Sequence, residues 1–214
     1  MLPIRILANQ VTNLTDARYF AARGADYICM NDGISTKGIS IEEMNAIAEW
    51  VEGPEFLLHF TSPDYYLDIV DRFEPAGLIF DKAELHNIPG SVQSDLKFVT
   101  YKVDDFEALG DEGISGTDIV LGFDYLILDL RGTHKTMEEL IALGALPIIQ
   151  AICAAGAVFL DVPVSAASLP VVLEDIKPEG WVLHGGSEDK VGVKTYDELD
   201  DFFDVLESMD LGVE

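Results

Sequence analysis

A chain of 214 residues with 49% hydrophobic content is long enough to bury one large core and short for two independent α/β domains, so a single domain over residues 1–214 is expected. Its 39 acidic against 13 basic residues leave a net charge of −26, a field that repels phosphate backbones and anionic bilayers and argues against nucleic-acid or membrane partners. The opening MLPIRILANQ has no basic segment before a long apolar stretch, and no run of about eighteen apolar residues occurs, which predicts neither signal peptide nor membrane span.

Short apolar runs alternate with amphipathic segments along the whole chain, the rhythm of repeated βα units. Strands are predicted, in order, at Ile4–Ala8, Asp26–Met30, Glu55–Phe60, Gly77–Phe80, Lys97–Val103, Tyr125–Asp129, Ala157–Asp161 and Trp181–His184. Between them, apolar spacing near 3.6 predicts helices at Leu14–Arg23, Ile41–Val51, Pro63–Phe73, Met137–Ala155, Ser168–Ile176 and Tyr196–Met209. Start and stop signals support several of these: the Asn13 region before Asp16, Ser40 before Glu42 and Glu43, Ser62-Pro63, and Gly24 as a C-cap. Segments 81–95 and 104–124 are rich in Gly, Pro and Asp, which predicts short or irregular helices.

The strands are apolar rather than alternating, as parallel strands covered on both faces require. Eight βα units without a linker or a Gly-rich first turn favour a single (β/α)8 TIM barrel over a doubly wound open sheet. Cys29 and Cys153 lie in apolar segments away from each other, which reads as buried free thiols in a reducing cytoplasm. The four histidines show no metal-binding spacing, so neither a metal nor another cofactor is expected. Trp50 and Trp181 read as packing residues, Tyr65-Tyr66 should turn at least one ring inward, and Leu199, Phe202 and Phe203 form the inner face of the last helix.

The first unit, IRILANQVTNLTDARYFAARGADYICM, resembles the opening of the phosphoribosylanthranilate isomerases, with Thr12, Asp16, Ala17, Gly24, Ala25 and Asp26 on the family's frame. Leu128-Asp129 followed by Gly132-Thr133 resembles its Leu-Asp and Gly-Thr-Gly stretch, while Gly186-Ser187-Glu188 and Gly192-Val193-Lys194 are similar to its Ser-Gly-Val-Glu and Pro-Gly-Val-Lys segments. The likeness runs in order along the chain but is poor from about Ala76 to Asp124.

That resemblance implies an Amadori rearrangement of a phosphoribosylated aromatic amine, in tryptophan biosynthesis. An acid protonates the ring oxygen, a base takes a proton from the second sugar carbon, and backbone N–H groups of the last two strand-end loops hold the phosphate. Asp129 takes the place of the family's acid, unless it only caps the following loop. Asn9 stands where the family has its catalytic Cys, and an amide accepts no proton at neutral pH. It is left to orient a substrate hydroxyl or to satisfy backbone groups at a turn.

Other departures concern binding. Lys37 replaces an Arg that holds the anthranilate carboxylate, and Leu160-Asp161-Val162-Pro163 replaces a Gly-Gly pair, setting a carboxylate near the expected phosphate. Gly185 and Gly186 keep the potential for an anion-binding nest, and Arg131 and Lys135 could add charge there or form surface ion pairs. The family's Gln and His of the fourth strand fall near Leu78 and Phe80, which suggests an apolar wall. The candidate ligand residues are thus Lys37, Arg131, Gly132, Thr133, Gly185 and Gly186, for a small and possibly phosphorylated molecule. Three readings remain: an isomerase relative with weak or lost activity, an enzyme using Asp129 on another small molecule, and a binding barrel without chemistry.

Overall fold

The computed structural model describes residues 2–31, 38–60, 69–88, 94–105, 122–185, 188–190 and 193–210. Eight parallel strands close into a barrel: β1 (Arg5–Asn9), β2 (Tyr27–Asn31), β3 (Glu55–Phe60), β4 (Gly77–Asp81), β5 (Leu96–Lys102), β6 (Tyr125–Asp129), β7 (Val158–Asp161) and β8 (Gly180–His184), with β8 pairing back onto β1. All eight strands lie within one residue of the predicted bounds. Around them run α1 (Leu14–Ala22), α2 (Ile41–Glu49), α3 (Met137–Ala142), α4 (Leu146–Ala155), α5 (Leu169–Ile176) and α6 (Asp197–Asp210). A 3₁₀ helix at Lys82–Asn87 follows β4, and residues 69–73 are helical, whereas the predicted start at Ser62-Pro63 and the pair Tyr65-Tyr66 lie outside the described residues. Among these residues no helix is long and apolar enough to cross a membrane.

Local chemistry accounts for the helix ends. The Asn13 side chain accepts from the Asp16 N–H, Ser40 forms a reciprocal capping box with Glu43, and Thr136 does the same with Glu139. The predicted single helix Met137–Ala155 is two, because Gly144 takes φ +92° and Pro147 opens α4 at a position where no N–H is needed. Trp50 also departs from expectation. It is 66% exposed at the end of α2, with the Arg18 guanidinium 5.5 Å above its ring, while Trp181 is fully packed and donates to Val162 O. The acidic α6 buries Phe202, Phe203 and Leu206, and its outer carboxylates are gathered by Arg23, which reaches Asp200, Asp204 and Glu207.

Strand alternation divides the core in two. Leu7, Cys29, Leu57, Phe98, Phe159 and Val182 fill the barrel interior, whereas Ile6, Met30, Leu58, Leu128 and Leu160 face the helices. Burial raises the pKa of the Cys29 thiol, and that of the half-buried Cys153 to about 12, so both stay protonated and unreactive. The floor is an aromatic stack in which Phe98 lies 4.7 Å from Tyr125 and 5.5 Å from Phe159. Arg5 seals it by donating to the Tyr27 and Tyr125 hydroxyls. Glycine makes room for these rings: a Cβ on Gly180 would lie 2.3 Å from Phe159 Cε1 and 2.6 Å from Arg5 O. Gly180→Ala should therefore lower stability by about 1–3 kcal/mol, read as a shift in the urea midpoint at unchanged slope.

Candidate active site

In a barrel of this kind the side chains two residues past the interior core, at the C-terminal strand ends, form the mouth. Here every one of those positions is polar. Asn9, Asn31, His59 and Asp81 come from the first four strands and Asp129, Asp161 and His184 from the last three, with Thr100 and Lys102 between them. Register places Asn9 beside His184, Asn31 beside His59, and Asp129 beside both Lys102 and Asp161.

On the β6–β8 side the polar groups engage one another. Arg131, in the 3₁₀ turn after β6, donates its backbone N–H and Nε to Asp129 Oδ1 at 3.0 and 3.3 Å, and its Nε also lies 3.0 Å from Asp161 Oδ1. Asp161, 2% exposed, meets His184 Nε2 with both oxygens at 3.0 and 3.1 Å. Arg131 Nη1 stands 3.3 Å from His184 Nδ1. Because guanidinium only donates, His184 accepts through Nδ1 and carries its proton on Nε2 toward Asp161.

Asn9 belongs to the same end of the barrel. Its Oδ1 accepts from the N–H of Gln10, which has φ +57°, so the amide serves the turn that follows β1. With Thr12, Arg131, His184 and Gly185 it lines a cavity of about 540 Å³. A second cavity, about 530 Å³, lies between the ends of β7 and β8 and the start of α6, bounded by Asp161, Pro163, His184, Gly185, Tyr196 and Phe202.

Asp129, Arg131, Asn9 and Gly185 thus share one mouth, but other predicted ligand residues do not. Gly132 packs on the end of β5, where a Cβ would lie 2.3 Å from Asp104 Oδ1, and the Thr133 hydroxyl donates to Leu130 O within its own turn. Neither lines the two cavities. Lys37 and Gly186 lie outside the described residues. The nest expected at Gly185 is faced by a carboxylate, since a Cβ on Gly185 would meet Asp16 Oδ2 at 2.7 Å. Asp16 is 2% exposed and accepts from Asn13 and Tyr196.

The expected apolar wall is also corrected. Leu78 and Phe80 point toward the helices, and the inward residue ending β4 is Asp81. Sequence reasoning missed Asp81, His59 and Asn31, the last inward residues of β4, β3 and β2, whose one signal is a polar side chain at the C-terminal end of an apolar run. Lys102 Nζ lies 2.8 Å and His59 Nε2 3.5 Å from the two Asp81 oxygens. Burial opposes ionisation of Asp81, and these two neighbours more than reverse that, holding its pKa at about 2. Among the described residues no group of three or more His, Cys, Asp or Glu is arranged to hold a metal ion.

Among the solved structures similar to this chain are phosphoribosylanthranilate isomerases. That of Thermotoga maritima superposes with a TM-score of 0.67 at 18% identity, over 96% of this chain and 99% of that one. That of Thermus thermophilus gives 0.66 at 20% identity over 96% and 100%, and TrpF of Jonesia denitrificans 0.66 at 13% over 97% and 98%. No family model matches the chain, and no curated protein matches it in sequence. The chain is a (β/α)8 barrel. Identities this low carry the fold and leave the chemistry to the residues of the mouth.

The depressed Asp81 pKa has a measurable consequence. Because the folded value lies below the unfolded value of about 3.9, its stabilisation is complete above roughly pH 4 and is lost as pH falls toward 2. The stability difference between the protein and Asp81→Asn should shrink across that window in urea titrations, and stay constant above it.

Proposed function

We propose that this chain is a divergent relative of the phosphoribosylanthranilate isomerases, lacking their catalytic Cys, whose mouth binds a small molecule while the ancestral Amadori activity is lost or strongly reduced. The observation that carries this reading is the placing of Arg131 between Asp129 and Asp161, against His184. Asp129, the counterpart of the family's acid, has both oxygens engaged by the Arg131 guanidinium. Asn9, the counterpart of the base, is an amide bonded to its own turn. Loss of general base catalysis alone costs about 10² to 10⁴ in rate.

The phosphate site is altered in the same direction. Asp161 and Asp16 bring carboxylates to the ends of β7 and β8, Pro163 removes an N–H, and the charge of Arg131 is taken up by two partners. An anion entering here would displace an existing ion pair rather than fill a vacant site. A neutral ligand meets no such cost.

One observation favours surviving chemistry on another substrate: His184 is held by Asp161 and lies in register beside Asn9, so an acid–base group stands next to the vacated position of the Cys.

The test is turnover. With phosphoribosylanthranilate, kcat/KM should fall below about 10² M⁻¹s⁻¹, against about 10⁴ to 10⁸ for working enzymes, and the gene should not complement an isomerase-deficient strain. Asn9→Cys alone should restore little, and Asn9→Cys with Asp161→Gly should restore more. Turnover by the unaltered protein at ordinary rates would overturn the proposal.

A further inference from the structure

The other half of the mouth carries polar side chains that the reading above does not use. Asn31 ends β2 and is 6% exposed, yet its Oδ1 has no hydrogen-bond partner among the described residues. Asp81 Oδ1, at the end of β4, has none either, the nearest donor being His59 Nε2 at 3.5 Å. Strand alternation turns both acceptors inward, on either side of His59, which lies in register with Asn31. A buried acceptor left without a donor is unfavourable, and here two such acceptors fall in one corner of the barrel's functional end.

We infer that Asn31, His59 and Asp81, with Lys102, form a subsite for the hydroxyl groups of a neutral polyhydroxylated ligand. The inference rests on the mouth being a small-molecule site, as proposed above. Two orphan acceptors call for a ligand rich in donors, which leaves hydroxyls or an ammonium. Lys102 Nζ, 2.8 Å from Asp81 Oδ2, already supplies the positive charge that Asp81 balances, so a second cation would meet repulsion. A hydroxyl can donate to Asn31 or Asp81 and accept from Lys102 or His59 at once, which a cation cannot. The two acceptors stand on β2 and β4 with β3 between them, so a ligand carrying hydroxyls along its whole length can reach both. The His59 and Asp81 side chains remain 20% and 22% exposed, so the cluster is approached at its rim while the two acceptor oxygens lie buried beneath. Exchange of the amide O and N in Asn31 would not remove the demand, since the Asp81 carboxylate can only accept.

The probe is xylitol, with 1,5-pentanediol as a control that keeps the chain length and loses the adjacent hydroxyls. Ring resonances of His59 and His184 report on the two halves of the mouth separately. Xylitol is expected to shift the His59 signals saturably in the millimolar range, and the diol is not. Asn31→Leu should weaken xylitol binding about tenfold or more while raising the thermal midpoint, because it removes an unpaired polar group, and the near-isosteric Asp81→Asn should weaken it without loss of the fold. Shifts confined to His184 would overturn the subsite while leaving the mouth a ligand site. Equal response to both probes, no response at all, or stabilisation by Asn31→Leu with unchanged xylitol binding would overturn it as well. Turnover of phosphoribosylanthranilate, measured separately, bears on the earlier reading and not on this one.

Discussion

Barrel closure sets β6 and β7 side by side in register, with backbones roughly 5 Å apart, and their last residues are Asp129 and Asp161. Two carboxylates at that spacing repel unless a cation is shared between them or one of them takes up a proton. Arg131 resolves the conflict from within the chain, two residues after Asp129, by reaching both and then touching His184. The rest of the mouth follows from this arrangement. The guanidinium is engaged by two carboxylates, Asp129 is held by it, and His184 presents Nδ1 to Arg131 and Nε2 to Asp161.

The two halves of the mouth carry their charge in similar ways. On one side Arg131 is matched by Asp129 and Asp161, and on the other Lys102 is matched by Asp81 with His59 nearby. Both sides therefore present balanced or slightly negative groups, in keeping with a chain whose overall charge is −26. An anchoring site for phosphate needs backbone N–H groups pointing at open space, and here Asp16 lies against Gly185 where such groups would have to act. That charge balance is the physical ground for proposing a neutral ligand.

Much of the barrel was legible in the sequence because a parallel strand buried on both faces must be a short apolar run, and there are eight of them. The same feature hid the site. In an all-apolar run such as Gly77-Leu78-Ile79-Phe80, nothing in the pattern tells which side chains face the interior, so Leu78 and Phe80 were assigned to a wall that Ile79 and Asp81 provide. Asn31, His59 and Asp81 went unnoticed for that reason. Resemblance to a known family led to Asn9 and Asp129, which the structure does bring to one mouth, but it could not reveal that Asp129 is tied to Arg131. That contact depends on the 3₁₀ turn at Arg131–Thr133 curling back over the strand end. The break between α3 and α4 was signalled by Gly144 and Pro147, within an apolar period strong enough to read as one helix.

Arg131 and Asp161 are taken to be energetically coupled, so that the guanidinium on the β6–β8 side of the mouth is committed to its own carboxylates. A double-mutant cycle with Arg131→Met and Asp161→Asn, followed by urea unfolding, measures that coupling directly. A coupling free energy of about 1 kcal/mol or more is expected, with the double variant less destabilised than the sum of the single ones. Additive effects, within about 0.3 kcal/mol, would contradict it.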